Sequence, residues 1–518
     1  MRRRARCSRL LAVVMSLGLV AAACGGDEDT ESTSADDTAT TASAPSPDDE
    51  GDGGDDEGAS APDDGGAAPA EGCAEPDDSV DELHGENAGQ FMADLQCASS
   101  SPLEAEGDPV LIGFQNPEGD PNGSFPEATL AAEAAVKYIN EELGGLGSDP
   151  STGTPGRPIE LAVCSMAINP ADSQRCANEL AAQDPFAVVS TINFFGNHFP
   201  VYEAAGVPVI VTTPVTVADF TGDAFAIGGG GGCLGAHTGL VEFATTEFDD
   251  VEKVAVPWAD TPPGQVCYYD LERKPLDVLN GSVKGDAERA GSMPDLEHIG
   301  VPIVPATPDV TPQVSEVLGF DPDVIIFSAQ GADCWNLVDG LGRLGWSPDS
   351  IPLVLSGSCV DFEAMKAAGD LAKGIYFTTA GGSLTNELDA IEDPLEKFEA
   401  EIYQSKPLDN GLPEDQLFKG FSTGSWAAML SIWEQSVAIA RGGEEFSPDS
   451  LSEAYGSTAG HHTFGSTPLS CSTAQEPYTA ICNAIVTVSQ WDGTNLVPVR
   501  ERFTGADLVA GTEIKTGP

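Results

Sequence analysis

The sequence predicts an α/β protein built on parallel sheets, on three observations. Short runs rich in Val and Ile alternate with longer stretches of helical period, the pattern of βαβ units. The body of about 410 residues from Gly107 onward exceeds what one hydrophobic core supports, so two domains are expected. Amide, hydroxyl and aromatic residues stand directly after the apolar runs, where open parallel sheets hold their ligands.

The apolar runs fall at 110–114, 159–163, 186–190, 207–212, 253–258, 301–304, 324–328, 353–356 and 374–379. Each is short and β-branched, as expected of strands covered on both faces. Helical patterns lie between them. In 127–142, Leu130, Ala131, Ala134, Ala135, Tyr138 and Ile139 recur on one face while Glu133, Lys137 and Glu141 fall elsewhere. Gly144-Gly145 ends that helix. Such alternation implies right-handed crossovers and helices on both sheet faces.

The strand ends supply the candidate ligand groups. Gln115, Asn116 and the acid Glu118 follow the first strand, with Phe125 just before the next helix. Asn193, Phe194, Phe195 and Gly196 follow the third strand, and Thr213, Val215 and Thr216 the fourth. In the second half the candidates are Asp260 with Tyr268, then Gln330, then Ser358 and Asp361. Together they suit a small polar ligand held by hydrogen bonds and stacking. Each also has a plainer reading, because Asn, Ser and Gly in loops commonly form turns.

The N-terminus states where the protein works. Arg2, Arg3, Arg4, Arg6 and Arg9 precede an uncharged apolar run at 10–23, and Ala21-Ala22-Ala23 stands before Cys24. Residues 1–23 read as a secretory signal peptide, too short for a membrane span. The arrangement resembles a bacterial lipobox, which implies a diacylglycerol on the Cys24 sulfur. An ordinary signal peptide that ends near a cysteine is the alternative. Residues 24–72 read as a disordered acidic linker, since 27–71 holds no Lys, Arg or aromatic residue. As a flexible coil it spans roughly 40 Å. The expected location is the outer side of the cell membrane, lipid-anchored, with no later membrane span.

With 23 basic against 83 acidic residues, the formal charge is −60. That excludes nucleic acid as a partner, because phosphate recognition needs a basic footprint. It disfavours direct adhesion to an anionic bilayer and gives a well-solvated surface. Of twelve cysteines, Cys7 leaves with the signal and Cys24 is reserved for lipid. The remaining ten favour disulfides in an oxidising compartment. Neighbours in sequence suggest Cys73–Cys97, Cys164–Cys176, Cys233–Cys267, Cys334–Cys359 and Cys471–Cys482, although spacing does not fix connectivity. No pair has zinc-type C-x2-C spacing and His461-His462 is an isolated doublet, so neither a metal nor a cofactor is expected.

The stretches AAVKYINEELGG, GRPIEL and YEAAGVPVI resemble the N-terminal lobe of the branched-chain amino acid type solute-binding proteins of ABC importers. VIIFSAQGADCWNLVDGLGRLGW and PLVLSGSCVDFEAM resemble that family's second lobe. The resemblance covers about 109–441 and fades over the last seventy residues. It implies two Rossmann-like lobes of the type I periplasmic binding protein fold, joined by three hinge crossovers near 224–232, near 376–382 and after Glu444. The implied division is an N-terminal extension at 73–108, a first lobe at 109–227 and 377–445, and a second at 228–376 and 446–518.

Carried over by position, the carboxylate grip of the family maps to Asn193 through Gly196, and its hydroxyl-bearing turn to Thr213 through Thr216. The second-lobe aromatic falls near Gln330 and the ammonium-pairing acid near Ser358, both departures from the family pattern. Asp361, Asp260 or Glu118 would have to replace that acid, so an amide or a carboxylate without an amine competes with an amino acid. The implied function is capture of a small polar solute and delivery to the permease subunits of an ABC importer, by a monomer. A sensor that signals to a membrane partner is the alternative.

Enzyme motifs are weak. Gly420-Phe421-Ser422-Thr423-Gly424 matches G-x-S-x-G, yet no β-branched run leads into Ser422 and a helix follows, so an anchored hydrolase is the least favoured reading. Gly230-Gly231-Gly232-Cys233-Leu234-Gly235 fits G-x-G-x-x-G but reads better as a hinge.

Overall fold

A computed structural model describes residues 73–120, 123–329, 331–379, 384 and 387–514. The signal peptide, Cys24, the linker 24–72 and Gln330 lie outside the described residues. Two sheets organise the rest. The first holds β1 (Val110–Pro117), β2 (Ile159–Met166), β3 (Ala187–Ser190), β4 (Val209–Val211) and β5 (Phe225–Ala226), all parallel, in the order β2-β1-β3-β4-β5. The second holds β6 (Lys253–Ala259), β7 (Glu297–Ile303), β8 (Val324–Phe327), β9 (Leu353–Ser356), β10 (Tyr376–Thr379), β11 (Val486–Trp491) and β12 (Leu496–Phe503). Its order is β12-β11-β10-β9-β8-β6-β7, parallel except that β10, β11 and β12 pair antiparallel.

Read from β7, the second sheet repeats the order of the first: second strand, first, third, fourth, fifth. Each sheet therefore has a topological switch point, between β1 and β3 in one and between β6 and β8 in the other. There the flanking crossovers diverge and leave a crevice at the carboxyl ends of the strands.

The helices that cover the first sheet come from three parts of the chain. Helix Pro126–Glu141 packs along helix Ser422–Arg441, burying Tyr138, Trp426 and Trp433, with Tyr138 stacked on Trp426 at 5.6 Å. The N-terminal extension adds helix Ala88–Ser100, whose Phe91 and Leu95 enter the same core. A second apolar cluster joins Val188, Val209 and Phe220 of the first lobe to Leu271, Ala506 and Val509 of the second through Tyr478 and Ile481. Among the described residues no helix is long and apolar enough to cross a membrane.

Two boundaries differ from the expectation. Helix Pro448–Ser457, assigned to the second lobe, buries Leu451 and Tyr455 in the first-lobe core, so the third crossover follows it at 458–485 instead of after Glu444. Strand β10, assigned to the first lobe from residue 377, belongs to the second sheet. The β11–β12 hairpin closes that sheet where the family resemblance has faded; β12 is an edge strand with one buried residue, so it lacks a strong hydrophobic pattern. All five expected cysteine pairs are disulfide-bonded.

The glycines of the first crossover are required by contact. A Cβ on Gly231 would lie 2.4 Å from the Asn483 carbonyl oxygen, and one on Gly232 would lie 2.1 Å from that of Pro214. Both residues also hold positive φ. The crossovers thus touch backbone to backbone.

Candidate functional site

The first-lobe edge is underlain by a buried polar network. Gln115, at the end of β1, is fully buried; it accepts from the Tyr202 hydroxyl at 2.7 Å and donates to the Ser173 carbonyl at 3.4 Å. Asn116 donates to the Phe125 carbonyl at 2.7 Å, to Thr129 Oγ1 at 3.1 Å and to Glu118 at 3.0 Å, and accepts from the Thr191 hydroxyl at 2.7 Å. Asn193 donates to Ser173 Oγ at 2.8 Å, and its Oδ1 accepts the Phe195 N–H at 3.1 Å. These three side chains, expected to face a ligand, are consumed inside the lobe: each is buried and partnered by another element or by its own turn. Their work is to fix the turns above them, since an unpartnered buried amide is costly.

Those turns present what remains. Phe194 and Phe195 are half-buried, and Gly196 is buried with φ of 68°. A Cβ there would meet Ala218 Cβ at 2.5 Å. Thr213 is half-buried. Thr216 caps helix Val217–Thr221, its hydroxyl accepting the Asp219 N–H at 3.2 Å. Asp219 in turn accepts the N–H groups of Val215 and Thr216 at 2.9 and 2.8 Å. Burial pushes the Asp219 carboxyl up to about 6, against the lowering effect of those donors. Glu118 is half-buried and held by donors from three elements: Asn116, the Thr129 hydroxyl and the Ser165 hydroxyl, the last at 3.0 Å.

The second-lobe edge is more open. Ser358 is exposed and donates to the Ala329 carbonyl at 2.6 Å. Asp361 is exposed and caps helix Phe362–Ala368 by accepting the Ala364 N–H at 2.9 Å. Asp260 is exposed and accepts from Gln265 at 3.0 Å. Tyr268 is a correction. Helix Pro262–Tyr268 turns it back onto the sheet, where it stacks on Trp258 at 4.9 Å in the core. Burial raises its hydroxyl to about 12.

Sequence reading missed a set of aromatic residues. Phe421 meets Phe125 edge-on at 4.7 Å, and Phe418 lies 6.4 Å from Phe362, which opens a second-lobe helix. Phe418 thus reaches from a first-lobe loop to the other lobe. The loop is pinned by Glu127: the Phe421 N–H approaches its Oε1 at 3.5 Å, and a Cβ on Gly420 would lie 2.0 Å from that oxygen. Burial holds Glu127 above the usual carboxylate range. In sequence this segment showed only as a failed hydrolase motif. Ser422 is the first residue of helix Ser422–Arg441 and is fully buried.

Among the described residues, one trio of potential metal donors gathers, Cys233, His237 and Cys267, within 4.8 Å of one another. Both sulfurs are spent in a disulfide, and His237 faces Glu272 at 2.9 Å, so the trio is not a ligand set. The doublet is structural too. His462 lies between Glu399 and Glu434 at 3.1 and 3.3 Å; burial opposes its charge, but the two carboxylates outweigh that and raise it to about 10.

A family model described as periplasmic binding protein matches residues 109–434, well over half of the chain. The chain belongs to the periplasmic binding protein family. Among curated proteins none matches it in sequence. Solved structures share the type I fold of this family. A branched chain amino acid ABC transporter protein from Thermus thermophilus with bound valine aligns at TM-score 0.60 and 15% identity, over 78% of this chain and 98% of that one. A fatty acid ABC transporter substrate-binding protein from Thermomonospora curvata aligns at TM-score 0.57 and 15% identity, over 80% and 98%. An R. palustris solute binding protein in complex with 4-hydroxybenzoate aligns at TM-score 0.56 and 16% identity, over 77% and 97%.

Proposed function

We propose that the chain is an extracytoplasmic solute-binding lipoprotein. Cys24 carries the lipid, 24–72 tethers the body, and the two lobes capture a small polar solute and deliver it to the permease of an ABC importer. The observation that carries this reading is the repeated strand order. Two switch points, each rimmed by turns and side-chain groups, occur in a chain whose family match spans both sheets. The work is binding, with no covalent step.

Within this reading, Thr213, Phe194, Phe195 and the rings of Phe125, Phe418 and Phe362 line the cleft, and Ser358 with Asp361 closes it from the second lobe. Of the three acids considered for a ligand ammonium, Glu118 fits best. Asp361 and Asp260 are exposed, whereas Glu118 is half-buried and held in place by donors from three elements. A ligand ammonium desolvated without such a partner would cost several kcal/mol.

Thermal-shift and calorimetric screening of the mature protein tests the reading. Branched-chain amino acids, fatty acids and hydroxybenzoates form the panel, after the names of the structural neighbours, together with amides, which the missing second-lobe acid favours. A cognate solute at 100-fold its Kd should stabilise by about 2.7 kcal/mol. Glu118→Gln should abolish that shift for an amine-bearing solute and spare it for a simple acid. No stabilisation by any class would count against solute capture, and a mature protein without lipid on Cys24 by mass spectrometry would end the anchoring proposal.

A further inference from the structure

One side chain of the second sheet reaches the N-terminal extension. Arg502, on β12, donates to the Leu83 carbonyl, lies 2.9 Å from His84 Nδ1 and pairs with Glu396 at 3.4 Å. Its φ of 24° is strained for a residue with a side chain, so the strand departs from regular geometry where the guanidinium is delivered. His84 is buried, and its Nε2 stands 2.9 Å from Asp393 Oδ2, at the start of helix Pro394–Asp409.

The extension itself is fixed to the first lobe. Phe91 and Leu95 are in that core, Arg441 grips Asp94 at 2.6 Å, and Glu86 exchanges backbone hydrogen bonds with Gly460 and His462 at 2.7 and 2.9 Å. Arg502 therefore ties the second sheet to a segment anchored on the first.

The chemistry of the tie depends on one proton. A guanidinium only donates, so His84 Nδ1 must accept and carries no hydrogen; Nε2 then bears the hydrogen and donates to Asp393. The relay Arg502–His84–Asp393 requires a neutral imidazole. A second proton has only Nδ1 to occupy, which turns the acceptor into a cationic donor facing another cation. Asp393 faces the imidazole Nε2 and Glu396 faces the Arg502 guanidinium from the helix side, and Asp81 and Glu82 lie on the imidazole's own segment. Asp81 is partly engaged by the Gly89 N–H at 2.9 Å.

We propose that residues 78–100 form a strap that latches the two lobes in the arrangement seen here through Arg502, His84 and Asp393, and that acid releases it. The latch is independent of which solute the cleft takes and can be read without one.

The test uses mature protein spin-labelled at Glu133 and Asp349, exposed sites in the two lobes, with interlobe distances measured at pH 8 and pH 5. The wild type should show one dominant distance at pH 8 and a second population at pH 5, a several-fold change in their ratio. Arg502→Gln should show the second population already at pH 8, with no further change on acidification. His84→Gln keeps an acceptor for Arg502 and a donor for Asp393 but cannot titrate, so it should hold the pH 8 distribution at both values. A wild-type distribution in Arg502→Gln, or an acid shift in His84→Gln equal to that of the wild type, overturns the proposal. Should His84→Gln fail to fold, Arg502→Gln decides alone.

Discussion

The two strand edges use similar residue types and wire them differently. At the first edge Gln115, Asn116, Thr191 and Asn193 are at most 1% exposed, and their hydrogen bonds cross between β1, β3, helix Pro126–Glu141 and helix Pro170–Ala181. At the second edge Ser358, Asp361 and Asp260 are exposed, and Asp361 and Asp260 bond within their own turns. Even the equivalent strand-to-helix caps differ, since Thr216, which caps the helix after β4, is buried and Asp361, which caps the helix after β9, is not. A buried network must be complete to be stable, so it also fixes the turns it supports. The first edge is therefore a preassembled shelf, and the second is free to adjust.

The sharpest way to break this contrast is Asn116→Ala. It removes at once the four hydrogen bonds that Asn116 makes to Glu118, the Phe125 carbonyl, Thr129 and the Thr191 hydroxyl, and should cost about 3–4 kcal/mol in denaturant unfolding. A loss below 1 kcal/mol would mean the network is not the support inferred here.

The next effect is one of pH. Asp219 is raised from 3.8 to about 6 in the folded state, so the folded protein holds this proton more tightly than the unfolded chain does. Its contribution to stability is fully present below about pH 4 and is lost as pH rises through about 6, by up to about 3 kcal/mol. Asp219→Asn should remove that slope between pH 4 and 7 when unfolding free energies are compared with wild type. An unchanged slope would place the titration elsewhere.

At the second edge the effects shrink. Asp361→Ala removes one exposed helix cap and should cost about 1 kcal/mol in the same unfolding measurement. Ser358→Ala should change stability by less than about 0.5 kcal/mol. If both cost as much as Asn116→Ala, the two edges are equally rigid and the contrast fails.

Much of the framework was legible in sequence because it depends on local patterns. Nine apolar runs overlap β1 to β4 and β6 to β10, and the inner strands among them, buried on both faces, need continuous Val and Ile. Cys164 and Cys176 meet because a short loop carries β2 into the next helix. The helix expected after Ser422 begins at Ser422 itself, and no strand leads into it.

What tertiary structure alone decided involves residues far apart in the chain. The turn of Tyr268 into the core, the docking of helix Pro448–Ser457 on the first lobe and the approach of Phe418 to Phe362 leave no local signature. The contact between His84 and Arg502 spans 418 positions. Periodicity tells which face of an element is apolar, not which distant surface will cover it. Likewise a polar residue at a strand end reads the same whether it faces solvent or is spent on a neighbour, as Gln115 and Asn193 are. Only the packed lobe fixes which of its donors remain for a ligand, because burial and partnership are properties of neighbours the sequence does not name.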